Sequence, residues 1–304
     1  MNKNTLHIET IGELGNQLFC WAVGYSIAIT RNKDLALHFR DNPCRLNEFA
    51  LIDNDFLEIF EHGNFSIDMK LLARIKRRVT RKYWTHETGL TIYQEAFPHI
   101  FDPEVYRLCE TNVLKGYFQS WKYIWKYRMQ IRDELSLNSP SMDFLKLQQQ
   151  LSRQDFISVH IRRGASGPSV INSQIHGFLP VQYYNHALSI IREMDSDFQN
   201  KRIVVFTDNV EITSKFIQSL DFKVDIVIGP GDLNSQSETL HLISNGFHQV
   251  GANSSYSWWS AFLSSREGIN IFPRPWYKDT SIDDREILPP TWISIGFDEF
   301  LGEV

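Results

Sequence analysis

Apolar and polar positions follow two rhythms along this chain. Runs of four to six mostly aliphatic or β-branched residues occur at 6–10, 35–39, 156–161, 202–206, 224–228 and 249–252. They read as strands, several of them apolar throughout, as strands buried on both faces are. Between them the apolar residues recur every three or four positions, at 18–28, 181–194, 211–220, 238–245 and 254–263, which predicts helices. Shorter runs at 91–93, 113–118 and 269–272 add strands, and the aromatic stretch 121–135 has a helical pattern. Strands alternating with helices predict an α/β protein whose parallel sheets are covered on both faces. The pattern thins over 138–155, where Asn138-Ser139-Pro140-Ser141 and a Gln-rich run predict a linker. Two domains, 1–145 and 146–304, are therefore expected, as two Rossmann-like halves with a cleft between them.

Composition narrows the class. With 304 residues, 42% of them hydrophobic and 22% charged, the chain has the material for two cores. A net charge of −5 gives no general attraction to nucleic acid, so an anion site must be built from particular residues. Cys20, Cys44 and Cys109 are far apart and show no metal or disulfide spacing, which fits a reducing compartment. No apolar run approaches the roughly 18 residues of a membrane span, and no signal peptide is visible, so a cytoplasmic protein is expected. Residues 70–82, from Lys70 to Lys82, hold seven basic residues and no acidic one. Leu71, Leu72, Ile75 and Val79 share one helical face there, a pattern suited either to core packing or to peripheral contact with an anionic membrane.

The candidate chemistry gathers at strand ends. Strand 156–161 runs into Arg162-Arg163-Gly164, and paired guanidinium groups at a strand end suit a phosphate, which they meet bidentately. The next strand ends in Thr207-Asp208-Asn209, and a later one in Asn253-Ser254-Ser255-Tyr256-Ser257. In a parallel sheet all three ends share one edge. Asn253 is the expected N-cap, and Ser254 and Ser255 would open a helix whose free N–H groups favour a phosphate. Asp208 can only accept, which suits ribose hydroxyls or the donor edge of guanine. Together these residues describe a nucleotide-diphosphate site. In the first half, a Gly12-Glu13-Leu14-Gly15-Asn16-Gln17 turn joins a strand to a helix and presents Asn16 and Gln17, which could equally be helix-capping groups. Asp53-Asn54-Asp55 and Asp195-Ser196-Asp197 have the DxD form that some transferases use to hold a metal, a pattern too short to specify one.

These motifs carry a family resemblance. His160-Ile161-Arg162-Arg163-Gly164 resembles the HxRRxD signature of α-1,2/α-1,6-fucosyltransferases. The glycine turn through Leu18-Phe19, Phe206-Thr207-Asp208-Asn209 and Ala252-Asn253-Ser254-Ser255-Tyr256-Ser257-Trp258-Trp259 resemble, in the same order, motifs of the bacterial family 11 glycosyltransferases. The resemblance implies a GT-B-like fold with GDP-β-L-fucose as donor and no essential metal or other cofactor. It also implies inverting α-1,2 transfer to a galactoside in a glycan such as a lipid-linked O-antigen unit. By position, Arg162 would bind the β-phosphate with Arg163 in support, Ser254 and Ser255 would meet the pyrophosphate, and Asp208 would contact the nucleoside. Gly15, Asn16, Gln17 and His176 would lie on the acceptor side, with Asn16 reaching over to the reacting centre. The family motif ends in Asp where this chain has Ala165, which leaves His160 as the nearest candidate base. Two alternatives remain at this point: another nucleotide-sugar donor or linkage, or a glycan- or nucleotide-binding protein without turnover.

Overall fold

The structure, a computed structural model, describes residues 4–39, 42–53, 57–61, 83–85, 91–107, 111–163, 175–233 and 235–299. The basic segment 70–82, Ala165 and Cys109 lie outside the described residues. The chain divides into two units, Met1–Asn138 with Arg285–Ile287, and Ser139–Asp284 with Leu288–Val304.

The N-terminal unit is built on β1 (Thr5–Thr10), β2 (Asp34–Phe39), β3 (Leu57–Glu61), β4 (Tyr83–Thr85), β5 (Thr91–Gln94) and β6 (Thr111–Lys115). Their order is β3-β2-β1-β6-β5-β4, parallel except for β4, which pairs antiparallel with β5. After β1 the chain turns at Gly12, whose φ of +74° favours glycine. It then enters α1 (Leu14–Arg31), which buries almost every residue from Leu14 to Ala28. Asn32 closes the helix in the left-handed conformation, its N–H donating to the Ala28 carbonyl.

The C-terminal unit holds β7 (Phe156–Ile161), β8 (Arg202–Thr207), β9 (Ile226–Ile228), β10 (His248–Val250), β11 (Asn270–Pro273) and β12 (Ile293–Ile295). All pair in parallel, in the order β12-β11-β10-β7-β8-β9. Numbered within the unit this is 3-2-1-4-5-6, the order of a doubly wound nucleotide-binding sheet. β7 is buried along its whole length, and its Ile157, Val159 and Ile161 pack in a core with Tyr183, Leu188 and Val250. The strand order reverses between β7 and β10, the point at which such sheets bind ligands beyond their carboxyl ends. The expected α/β class with two Rossmann-like halves is what the chain adopts.

Three local expectations are corrected. The two units do part within 138–155, after Asn138, but the stretch is not all linker: it contains a helix, Met142–Leu151, capped by the Ser141 hydroxyl, which accepts from the Phe144 N–H. Its serine and glutamines, read as loop formers, are a helix cap and a solvated helix face. Residues 121–135 form two single 3₁₀ turns and a short helix, Arg128–Glu134. The strand expected over 113–118 ends at Lys115, because Gly116 and the left-handed Phe118 (φ +52°) bend the chain away. Among the described residues no helix is long and apolar enough to cross a membrane.

Candidate functional site

Three of the predicted strand ends meet at the carboxyl edge of the C-terminal sheet. β7 and β8 are neighbours, and the Arg163 N–H donates to Asp208 Oδ1 at 2.7 Å, so the two ends are tied together. β10 leads through Asn253 to a helix, Ser255–Leu263, beside the same edge.

The two arginines divide the work. Arg163 is 3% exposed, donates to the Leu179 carbonyl at 2.7 Å and lies 3.9 Å over the Phe216 ring. Its guanidinium is thus held by the fold, which suits the supporting role expected of it. Arg162 is half-buried, and among the described residues its guanidinium has no hydrogen-bond or ion-pair partner. A half-buried, unpaired guanidinium at a ligand-binding edge is a ready anion site. Its positive charge reaches both His160 and His176: burial pushes each ring down to about 4, with Arg162 adding to it and, at His160, the Asp208 charge opposing it, so both are neutral at pH 7.

His160, the candidate base, is buried, and its Nδ1 is bound to the Ser257 hydroxyl. Ser257 Oγ in turn accepts from the Ala252 N–H at 3.1 Å. The imidazole therefore braces the turn into the helix. Asn253 is not the helix cap; its amide donates to the His176 carbonyl at 2.7 Å and to the Trp276 carbonyl at 3.3 Å. The cap is Ser254, whose hydroxyl accepts from the Tyr256 N–H at 3.3 Å. The cap moved one residue because Asn253 is drawn into the protein by those two carbonyls. Ser255 opens the helix as expected. His176, expected on the acceptor side, belongs to the C-terminal unit, where its backbone carbonyl accepts from Asn253.

The N-terminal unit has its own cluster at the carboxyl ends of β1, β5 and β6. Asn16 Oδ1 accepts from Gln119 Nε2 at 2.7 Å, and a Cβ on Gly12 would lie 2.4 Å from Asn16 Nδ2. The glycine is thus required for Asn16 to fold back over the turn. Gln17 is fully buried and spent on the backbone: it donates to the Gly12 and Pro43 carbonyls and accepts from the Arg45 N–H. Gly15 is buried in the first turn of α1. Sequence reasoning missed Gln119 and Glu95. Glu95 is a polar residue directly after a short strand, the signal that did pick out Asp208, whereas Gln119 lies four residues beyond β6 and carries no such signal.

Of the two DxD patterns, Asn54 and Asp55 lie outside the described residues, and Asp195 and Asp197 are bound to Lys201. Among the described residues no group of three or more His, Cys, Asp or Glu side chains converges as a metal site.

Comparison with known proteins adds to this geometry. A family model described as Glycosyl transferase family 11 matches residues 5–296. The chain is 27% identical to the Escherichia coli protein named Alpha-1,2-colitosyltransferase, over 93% of this chain and 96% of that one. It is 25% identical to the Escherichia coli O-antigen biosynthesis glycosyltransferase WbnK, over 93% of this chain and 98% of the relative. Among solved structures, the fucosyltransferase NodZ from Bradyrhizobium matches at a TM-score of 0.47 and 10% identity, covering 87% of this chain and 94% of that one.

Proposed function

Since the chain belongs to glycosyltransferase family 11, we propose that it is an inverting enzyme that moves L-fucose from GDP-β-L-fucose to the 2-hydroxyl of a galactoside. The product is an α-1,2 linkage in a glycan of the O-antigen type. The observation that carries the donor half of this reading is the unpaired Arg162 at the switch point of a doubly wound sheet, beside a helix capped by Ser254.

The chemistry asks for what that edge offers. As the bond to the departing GDP lengthens, negative charge gathers on the β-phosphate and positive charge on the sugar. A guanidinium and the positive end of a helix dipole aimed at the diphosphate stabilise the leaving group as its charge develops. Two charge-assisted contacts of this kind are each worth about 1.5–3 kcal/mol. Ser254 and Ser255 would meet the pyrophosphate, while Asp208 holds the Arg163 turn and faces the nucleoside. We assign His160 to bracing the Ser257 turn rather than to proton removal, because its nitrogen is already bound and the ring is buried. Bond cleavage that runs ahead of attack needs little help from a base. No metal is required in this scheme, since the positive charge comes from the protein. Asn16 with Gln119 would lie on the acceptor side, in the N-terminal unit. Contact of residues 70–82 with the anionic inner face of a membrane belongs to the proposal, and is checked by liposome co-sedimentation before and after changing Arg77, Arg78 and Arg81 to Glu.

The relative named Alpha-1,2-colitosyltransferase favours a second reading, in which the same site takes GDP-colitose, another deoxyhexose donor. GDP release measured in EDTA, from each donor, with and without a panel of β-galactosides, separates the two. Galactoside-dependent release from GDP-fucose supports the first reading, and release from GDP-colitose alone supports the second. No release from either donor, together with no GDP binding, would sink both.

A further inference from the structure

Glu95 follows β5 directly and is buried, with 7% of its surface exposed. Its Oε2 accepts from the Tyr117 N–H at 2.7 Å and the Phe118 N–H at 2.9 Å, which pins the turn after β6. A Cβ on Gly116 would come within 2.4 Å of the Glu95 side chain, so the glycine is what lets the carboxyl approach. The same turn holds Phe118 in the left-handed region, a conformation a bulky side chain keeps only under restraint. The other oxygen, Oε1, is buried and has no hydrogen-bond partner among the described residues. A buried carboxyl with one oxygen fixed and one bare is an unsatisfied group that a ligand could complete.

The surroundings fit a sugar. Glu95 lines a pocket of about 70 Å³ with Tyr93, Phe97, Phe101 and Asp102, at the carboxyl end of β5 where open α/β sheets bind ligands. That volume holds roughly two waters, or a hydroxyl and the carbons beside it. Phe97 is 66% exposed at this pocket, an aromatic surface of the sort that covers the apolar face of a sugar ring. Asp102 is already committed to the Tyr93 hydroxyl and the Glu104 N–H, so Glu95 supplies the bare oxygen.

We propose that Glu95 and the ring of Phe97 form a subsite for the acceptor sugar, one of whose hydroxyls donates to Glu95 Oε1. This deepens the transferase reading above and rests on it. The chemistry also sets a pH signature. Burial, with a smaller push from the Asp102 charge, raises the Glu95 carboxyl to about 8 against the pull of its two N–H donors. Tyr93, Tyr123 and Cys20 also face it, and burial pushes all three up, so they stay neutral over this range. A hydroxyl that donates to Oε1 stabilises the carboxylate, and binding therefore releases a proton and strengthens as the carboxyl ionises.

The test is saturation-transfer NMR titration of methyl β-D-galactopyranoside against the intact chain at pH 6 and pH 9, with GDP binding followed by calorimetry. The wild type is expected to bind at least about fivefold tighter at pH 9, Glu95→Gln to show no such difference, and Phe97→Ala to bind severalfold more weakly at both. Glutamine keeps an oxygen for the two N–H donors, so the turn survives in that variant. No galactoside binding in the wild type, or equal pH dependence in Glu95→Gln, would overturn the subsite. If GDP still binds, that failure leaves the donor reading standing, whereas loss of GDP binding in the wild type counts against the reading itself.

Discussion

The two ends of the C-terminal sheet handle charge in opposite ways. At the amino end, Lys201 Nζ lies 2.8 Å from Asp195 Oδ2, and the same oxygen takes His248 Nε2 at 2.9 Å. His248 Nδ1 accepts from the Ile269 N–H, which leaves the proton on Nε2 to donate to Asp195. Arg202 donates to the Leu151 and Gln154 carbonyls, and Arg266 pairs with Asp155. Each of these charges has a protein partner. At the carboxyl end Arg163 is satisfied in the same manner, yet Arg162, one residue away, has no such partner among the described residues. Burying or half-burying a charge without a partner is costly, and the diphosphate contact proposed above would meet that cost at Arg162. The comparison also disposes of Asp195-Ser196-Asp197 as a sugar-nucleotide motif, because it sits at the wrong end and is already neutralised.

The largest effect expected from breaking this contrast is at Arg162. Arg162→Ala should lower transfer by at least about 10- to 100-fold, the loss of one or more charge-assisted phosphate contacts, while the melting temperature stays within a few degrees. Equal activity in that variant would remove the distinction between the two ends. The mirror change, Lys201→Met, should do the reverse. It leaves a largely buried carboxylate without its lysine, destabilises the fold by as much as about 3 kcal/mol, and leaves turnover per folded molecule unchanged. Urea denaturation beside an activity assay separates the two outcomes.

Titration sharpens the contrast across the molecule. Asp195 is held down at about 2 by its lysine and histidine bonds despite burial, below the ordinary 3.8. Its contribution to stability is full above pH 3.8 and is lost as pH falls towards 2. Glu95 is raised from 4.5 to about 8, so its contribution is full below pH 4.5 and declines as pH climbs to 8. Melting curves of Glu95→Gln should lack that alkaline decline, and those of Asp195→Asn should lack the acid one. The smallest expected effect is at the helix cap, where Ser254→Ala should cost about 1 kcal/mol of stability and a few-fold in GDP affinity, read by calorimetry.

Much of this was legible in the chain. Fully apolar strands such as Phe156–Ile161 and capped helices such as Val210–Ile217 announce themselves, because burial on both faces and cap chemistry leave a local trace. The positions of Arg162 and Asp208 directly after β7 and β8, and of Ser254 and Ser255 at the start of the helix that follows β10, were equally legible. Whether a polar side chain serves a ligand or the fold was not legible, since that depends on partners distant in sequence. Arg163 is claimed by Leu179 and Phe216, Gln17 by Pro43 and Arg45, and Asn253 by His176 and Trp276. Short edge strands such as Ile293–Ile295 were equally silent, being too brief to show a period. Glu95 escaped notice because a lone glutamate after a four-residue strand has the look of a solvated turn until the N–H groups from β6's turn are seen to enclose it.

The most direct test of the account is calorimetric titration of GDP into the intact wild type, Arg162→Ala and Arg163→Lys. The account predicts micromolar-range binding by the wild type and at least about tenfold weaker binding, on an unchanged fold, by Arg162→Ala. For Arg163→Lys it predicts a lower melting temperature, with the nucleotide affinity of the folded protein retained better than in Arg162→Ala. Equal GDP affinity in the wild type and Arg162→Ala would contradict it, and would show that the unpaired guanidinium at the end of β7 does not hold the diphosphate.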